Sequence, residues 1–170
     1  MSEKLYGYNG KIAFIDLTNK QVTIEDLDPQ IAKDYLGGTG LSAKITYDML
    51  SEEDYEKLKK DPYYEKNPLI FATGPVTGTI RPSSGRYSAT GISPLTGIWG
   101  EGTSGGFFCI SLHKSGYDAL VFTGKAEKPI YLYIQDQGKI QFKDATSLWG
   151  KDTYSTQGEI KKELDNERVR

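Results

Sequence analysis

Apolar and polar positions mark out the elements. Ile12, Phe14 and the residues around them alternate over Lys11–Asp16 and again over Gln21–Glu25, which predicts two strands joined by a turn at Thr18-Asn19-Lys20. Asp28 has the side chain of a helix N-cap, and Pro29 suits the first helical position. Ile31 and Tyr35 fall on one face of that helix, and Gly37 predicts its stop. Leu41, Ile45 and Met49 predict a second helix over Leu41–Leu50. Ser51 and Asp54 have capping-box spacing at the head of the charged stretch Ser51–Lys60, which is expected to be a solvated helix or an extended loop. The apolar run Leu69–Thr73 predicts a buried strand. From Gly74 to Gly106, Gly, Pro, Ser and Thr dominate, with one strand-like piece at Arg86–Gly91. Phe107–Ser115 predicts a short helix ended by Gly116, and Ala119–Thr123 another strand. Ile130–Gln135 and Lys139–Lys143 predict a hairpin across Asp136-Gln137-Gly138. Thr153–Asp165 closes the chain as a helix with Ile160 and Leu164 facing inward.

Strands outnumber helices and do not alternate strictly with them, which favours an α+β domain, rich in β-structure, over a doubly wound sheet. Residues 1–170 are expected to form one domain. A hairpin followed by a helix occurs twice, at residues 11–36 and 130–165, each with a Gly-Lys pair beside a strand (Gly10-Lys11, Gly138-Lys139). Either the domain is two related halves, or two ordinary units resemble one another.

Composition narrows the function classes. With 37% apolar and 12% aromatic residues the chain has enough for an ordered core, so disorder is not expected over its bulk. A net charge of -2 argues against a nucleic-acid partner. No apolar run approaches the roughly 20 residues of a membrane span, and Met1–Gly10 lacks the apolar core of a secretion signal. The expectation is a soluble cytoplasmic domain. A single cysteine, Cys109, excludes an internal disulfide.

The chemistry concentrates in Leu69–Asp118, where three glycine-rich turns are predicted at Thr77-Gly78, Ser83-Ser84-Gly85-Arg86 and Gly102-Thr103-Ser104-Gly105-Gly106. The last precedes a helix, whose N-terminal N–H groups and dipole attract anions. Hydroxyls of Ser83, Ser84, Thr103 and Ser104 add donors, and Arg86 adds a bidentate cation suited to phosphate. Two readings stand together here: a site for an anion-bearing organic cofactor, or β-turns that bind nothing. Neither the Walker-type phosphate loop nor the dinucleotide-binding glycine motif is present.

Short ordered matches along most of the chain carry a resemblance. They are Tyr8-Asn9-Gly10-Lys11, Tyr35-Leu36-Gly37-Gly38, Ala72-Thr73-Gly74-Pro75-Val76-Thr77-Gly78, Gly85-Arg86-Tyr87, Ser93-Pro94-Leu95-Thr96-Gly97, Ser104-Gly105-Gly106, Gly116-Tyr117-Asp118, Gly124–Pro129 and Leu148–Asp152. The sequence resembles the N-terminal domain of the tungsten-containing aldehyde:ferredoxin oxidoreductase family. The resemblance implies a cradle beneath a tungsten (or molybdenum) bis-pterin cofactor, in an enzyme that oxidises aldehydes to carboxylic acids and passes electrons through a 4Fe–4S cluster to ferredoxin. By position Arg86 matches the arginine that contacts pterin. Thr103 falls where the family often has Asn, whose backbone carbonyl ligates a magnesium ion on the pterin phosphates. Gly85, Ser84, Ser104, Gly105 and Gly106 complete the implied cofactor-binding set, and no catalytic residue is implied in this chain.

Departures qualify that picture. Thr39 stands where the family often has Arg, which implies one cation fewer near the cofactor. Ser51–Lys66 looks like a charged surface insertion. The cluster-binding cysteines and substrate pocket belong to later domains, so turnover is expected only with those domains or a partner chain, and a homodimer is another way to cover the cofactor-facing surface. A pterin carrier or relic without turnover, and a purely structural module, are the competing readings. Cys109 and His113, four apart on a helix, fit a metal or nucleophile pair less well than a buried thiol. Trp99 and Trp149 are expected as core or rim aromatics, and Glu101 and Asp118 as exposed or hydrogen-bonded carboxylates rather than an acid–base pair.

Overall fold

A computed structural model describes residues 5–135 and 138–169. The expected turn residues Asp136 and Gln137 lie outside the described residues. The elements run β1 (Lys11–Asp16), β2 (Gln21–Asp26), α1 (Pro29–Tyr35), α2 (Gly38–Met49), α3 (Glu52–Lys60), β3 (Leu69–Ala72), β4 (Arg86–Ile92), β5 (Trp99–Gly105), α4 (Phe107–Lys114), β6 (Ala119–Thr123), β7 (Ile130–Ile134), β8 (Ile140–Asp144) and α5 (Thr153–Glu163). The fold is α+β. Six strands form one mixed sheet in the order β2-β1-β6-β3-β4-β5, and β7 and β8 pair apart from it. Both hairpin–helix units expected from the sequence are present, the first inside the large sheet and the second outside it.

The central strands are covered on both faces, which explains their continuous apolar text. One face carries Ile12, Ile70, Ala72, Ala119 and Val121 against Ala32, Leu41 and Ile45 of α1 and α2. The other packs Ala13, Ile15 and Leu120 against Leu112 of α4 and the inner residues of β7 and β8. β1 and β6 run parallel, while β6–β3, β3–β4 and β4–β5 are antiparallel.

The expected caps form. Asp28 accepts the Gln30 N–H at 2.7 Å with Pro29 at the helix start. α2 begins earlier than its apolar repeat, because Gly37 and Gly38 turn the chain directly from one helix into the next. The clear correction is β5: Gly102–Gly105 is an edge strand, registered on β4 from Ile92↔Trp99 to Arg86↔Gly105, and not a turn. Three glycines and an exposed surface leave it no apolar alternation to read, so only pairing with β4 makes it a strand. Ile160 of α5 and Leu164, which caps it, are half-buried, and no residue of that helix is buried.

α3 is solvated apart from Leu58 and Asp54, and the latter carries a prediction. Its carboxylate accepts the Ser51 N–H and hydroxyl at 3.1 and 2.8 Å, the Tyr64 hydroxyl at 3.0 Å and Lys66 Nζ at 3.0 Å. These donors, Ser51 first and Lys66 second, hold its pKa well below the ordinary carboxylate range. A depressed folded pKa gives stability that is present above the unfolded value and lost on acidification. Thermal melts should therefore show a loss between about pH 4 and pH 2 that is shallower in Asp54→Asn. Parallel curves for the two proteins would refute this.

Candidate functional site

Among the sequence-predicted residues, Thr77, Ser83, Ser84, Arg86 and Thr103 come together in a cleft of about 340 Å³. Its opposite wall is Leu36-Gly37-Gly38-Thr39, and its floor runs from Ala72 through Gly74–Thr77. Among the described residues its lining includes no carboxylate, and Arg86 is the one charged side chain there. In a chain of net charge -2 this leaves a locally positive cleft with hydroxyls on several sides.

Each wall has a local cause. β3 ends at Ala72, and the carbonyl of buried Thr73 accepts the Gly38 N–H at 2.9 Å, which sets the start of α2 against the strand end. An α-helix of 12 residues thus opens its N-terminus onto the cleft at Gly38 and Thr39. The Gly74 N–H donates to the Thr77 hydroxyl, which donates to the Arg86 carbonyl, both at 3.2 Å. That relay ties the floor to the first residue of β4. The Arg86 side chain is exposed, and no hydrogen bond or ion pair ties its guanidinium to another described residue. Thr39 and Ser88 bridge α2 and β4 by a hydroxyl–hydroxyl bond of 3.1 Å. Where an Arg was expected by resemblance, the cleft therefore has a neutral hydroxyl.

Ser104, Gly105 and Gly106 are not in the cleft lining among the described residues. Strand alternation turns Ser104 to the face opposite Thr103. Gly106 precedes α4, away from the cleft, while Gly85 sits between Ser84 and Arg86 with the Gly106 carbonyl and Cys109 Sγ nearby. Sequence reasoning placed Thr77 in one of the glycine-rich turns of the candidate site, but missed Gly37, Gly38 and Ser88 as wall residues. The Gly37-Gly38-Thr39-Gly40 cluster was the available signal, since a glycine run between two helices often marks a close backbone approach.

The remaining candidates take ordinary roles. The Cys109 thiol is buried and donates to the Gly106 carbonyl at 3.1 Å. Among the described residues no group of three or more His, Cys, Asp and Glu side chains could hold a metal ion. Trp149 is exposed and Trp99 half-buried, with its indole N–H 3.5 Å from exposed Glu101. Asp118 is buried and accepts the N–H groups of Asn9, Gly10 and Lys11 at 3.0, 2.7 and 3.2 Å. That loop carries Tyr8, whose hydroxyl pKa is raised by burial and then by the charge of Asp118, so it remains a donor at neutral pH. No helix among the described residues is long and apolar enough to cross a membrane.

The family described as "Aldehyde ferredoxin oxidoreductase, N-terminal domain" matches residues 12–170. The chain belongs to this family. It is 41% identical over 98% of its length to the tungsten-containing aldehyde ferredoxin oxidoreductase of Pyrococcus furiosus, and 38% identical over 97% to that of Thermococcus kodakarensis. It spans 26% of the length of each. This aldehyde ferredoxin oxidoreductase N-terminal domain is also similar to the solved active-site complex BamBC of benzoyl coenzyme A reductase with 1,5-dienoyl-CoA. There the TM-score is 0.88 and the identity 35%, over 96% of this chain and 24% of that one.

Proposed function

We propose that this domain binds and positions a tungsten bis-pterin cofactor as the N-terminal part of a cytoplasmic aldehyde:ferredoxin oxidoreductase. The observation that carries the proposal is the cleft itself: among the described residues, an unpaired guanidinium, several hydroxyls, a helix N-terminus and glycine walls, with no carboxylate in its lining. Phosphate-bearing ligands are recognised by that donor set. Arg86 would hold a phosphate or pterin edge, the Ser84 and Thr39 hydroxyls, which here donate to the Thr79 carbonyl and the Ser88 hydroxyl, would turn to donate to the ligand, and the Thr103 carbonyl is the candidate magnesium ligand. When bound, the metal would supply the redox chemistry, and this chain's residues would orient the group that carries it. One cysteine cannot hold an iron–sulfur cluster, so the 4Fe–4S cluster and the route to ferredoxin are assigned to other domains or a partner chain.

The surface supports a covered role. Its accessible area is 11066 Å², against about 8,300 Å² for a compact monomer of this mass. Ile80, Leu95, Ile98 and Phe107 are all strongly exposed within the stretch of sequence that also carries Ser83, Ser84, Arg86 and Thr103 of the cleft, as expected of surface that further protein covers. One relative is named for aldehydes, and a similar solved complex holds a dienoyl-CoA. We therefore assign substrate choice to regions outside this domain.

The test is anaerobic purification of the protein with its associated domains or partners, followed by tungsten and pterin quantification. Arg86→Ala should retain the fold and lower occupancy about tenfold, the scale of one charge-assisted contact. Equal occupancy in the variant, or neither tungsten nor pterin in the wild type, would sink the reading.

A further inference from the structure

α1 ends in an unusual way at the rim of the cleft. Leu36 has φ 60 and ψ -59, and the Gly37 N–H reaches back to the Tyr35 carbonyl at 2.7 Å. This is the γ-turn of positive φ, a rare and strained conformation for a residue with a side chain. Leu36 is 64% exposed, so burial of its own side chain does not hold it there. Strain of this kind costs roughly 1–3 kcal/mol and persists only where surrounding contacts enforce it.

Those contacts come from outside the helix, from the segment that precedes β1. The Tyr8 hydroxyl donates to the Leu36 carbonyl at 2.6 Å, with the Ala32 carbonyl at 3.1 Å as a second acceptor. A helix-end carbonyl has no intrahelical partner, so the phenol satisfies an orphan group and pins the turn at once. Tyr8 is itself located from both sides. Its ring packs against the core between the sheet and the α1–α2 pair. The residues after it, Asn9 to Lys11, are gripped by buried Asp118. On the far side of the turn the Gly38 N–H is fixed to Thr73. The wall Leu36–Thr39 is thus held at both ends, by Tyr8 and by Thr73.

We propose that Tyr8 is a positioning residue of the cleft: its hydroxyl holds the strained turn at Leu36 and so aims the first turn of α2 at Thr39 toward the bound anion, the N–H groups of Gly37 and Gly38 being taken by the Tyr35 and Thr73 carbonyls. The inference rests on the anion-binding reading of the cleft and adds a residue that touches no ligand. Its energetic content is pre-organisation. Without the hydroxyl, Leu36 relaxes toward negative φ, and the ligand must then restore the wall when it binds.

Two measurements on the chain decide this: amide hydrogen exchange, resolved at residues 36–39, and titration with inorganic pyrophosphate. Tyr8→Phe removes one hydrogen bond and leaves the ring. Exchange at Gly37–Thr39 should quicken about fivefold, and pyrophosphate affinity should fall by a similar factor. Protection in β1 and β6 should be unchanged. In a Leu36→Gly background the same substitution should have little effect on either readout, because glycine accepts positive φ without strain. Unchanged exchange at residues 36–39 would overturn the proposal, as would equal loss of protection throughout the sheet, which marks a core prop. Equal effects of Tyr8→Phe in the two backgrounds would also overturn it. Wild-type protein that ignores pyrophosphate would remove the anion-binding reading and this inference together. Wild-type binding that Tyr8→Phe leaves untouched would remove this inference alone.

Discussion

Asp118→Ala is expected to destabilise the chain by about 4 kcal/mol, with a fall of roughly 10–15 °C in Tm. The carboxylate is 2% exposed and is the acceptor for three consecutive backbone N–H groups, those of Asn9, Gly10 and Lys11. Alanine leaves those donors facing a small cavity, and an unsatisfied buried donor costs about 1–3 kcal/mol. The backbone carbonyl of residue 118, which alanine keeps, still accepts the Thr73 N–H at 2.9 Å beside the cleft floor, so the loss is centred on the Asn9–Lys11 loop. Asp118→Asn retains one oxygen and should fall between the two. The pH dependence has the opposite sign to that of Asp54. Burial raises the Asp118 pKa, against the lowering pull of the three N–H groups and then of His113. A raised folded pKa means that the native state binds this proton more tightly, so the group's contribution falls as pH rises from the ordinary carboxylate value through the raised one. Asp118 therefore should not contribute to a loss of stability on acidification, whereas Asp54 should. Urea melts at neutral pH test the main expectation, and an Asp118→Ala stability within about 1 kcal/mol of wild type would contradict it.

Gly37→Ala is expected to cost about 3 kcal/mol, through close contact and backbone strain together. A Cβ at this position would stand 2.6 Å from the Thr73 carbonyl oxygen and 2.8 Å from Gly74 Cα. Both obstacles are backbone at the end of a central strand, so neither moves away as a flexible side chain would. The residue also has φ 155, which side-chain-bearing residues rarely adopt. Gly102→Ala is the control, since a Cβ there meets nothing within 4 Å on the exposed edge strand. Thermal unfolding of the two variants should separate them clearly. Similar Tm values would mean that the junction of α1, α2 and β3 yields more easily than its geometry indicates.

The same two sites show how the cleft depends on distant contacts. Asp118 follows α4 in sequence, yet it fixes the loop that carries Tyr8 and thereby the rim at Leu36. Gly37 lies between two helices, yet its limits are set by β3.

What was legible in the sequence was local or strongly repeated. The Asp28–Pro29 start of α1 and the Ser51–Asp54 capping box are hydrogen bonds between near neighbours, so four residues suffice to read them. β3 and β6 were legible because a strand covered on both faces must be apolar throughout. The family was legible because its glycine-bearing motifs occur in order along the chain. The tertiary structure alone decided that Trp99–Gly105 is a strand, since its order comes from register with β4 and not from its own side chains. It alone placed Thr39 opposite Arg86 and left Ser104 outside the cleft. It alone put a strained turn under a tyrosine 28 residues away. The physical reason is one of range: caps and periodicity are set within a few residues, whereas a cleft wall is set by which strand ends meet, and that is known only once the sheet has formed.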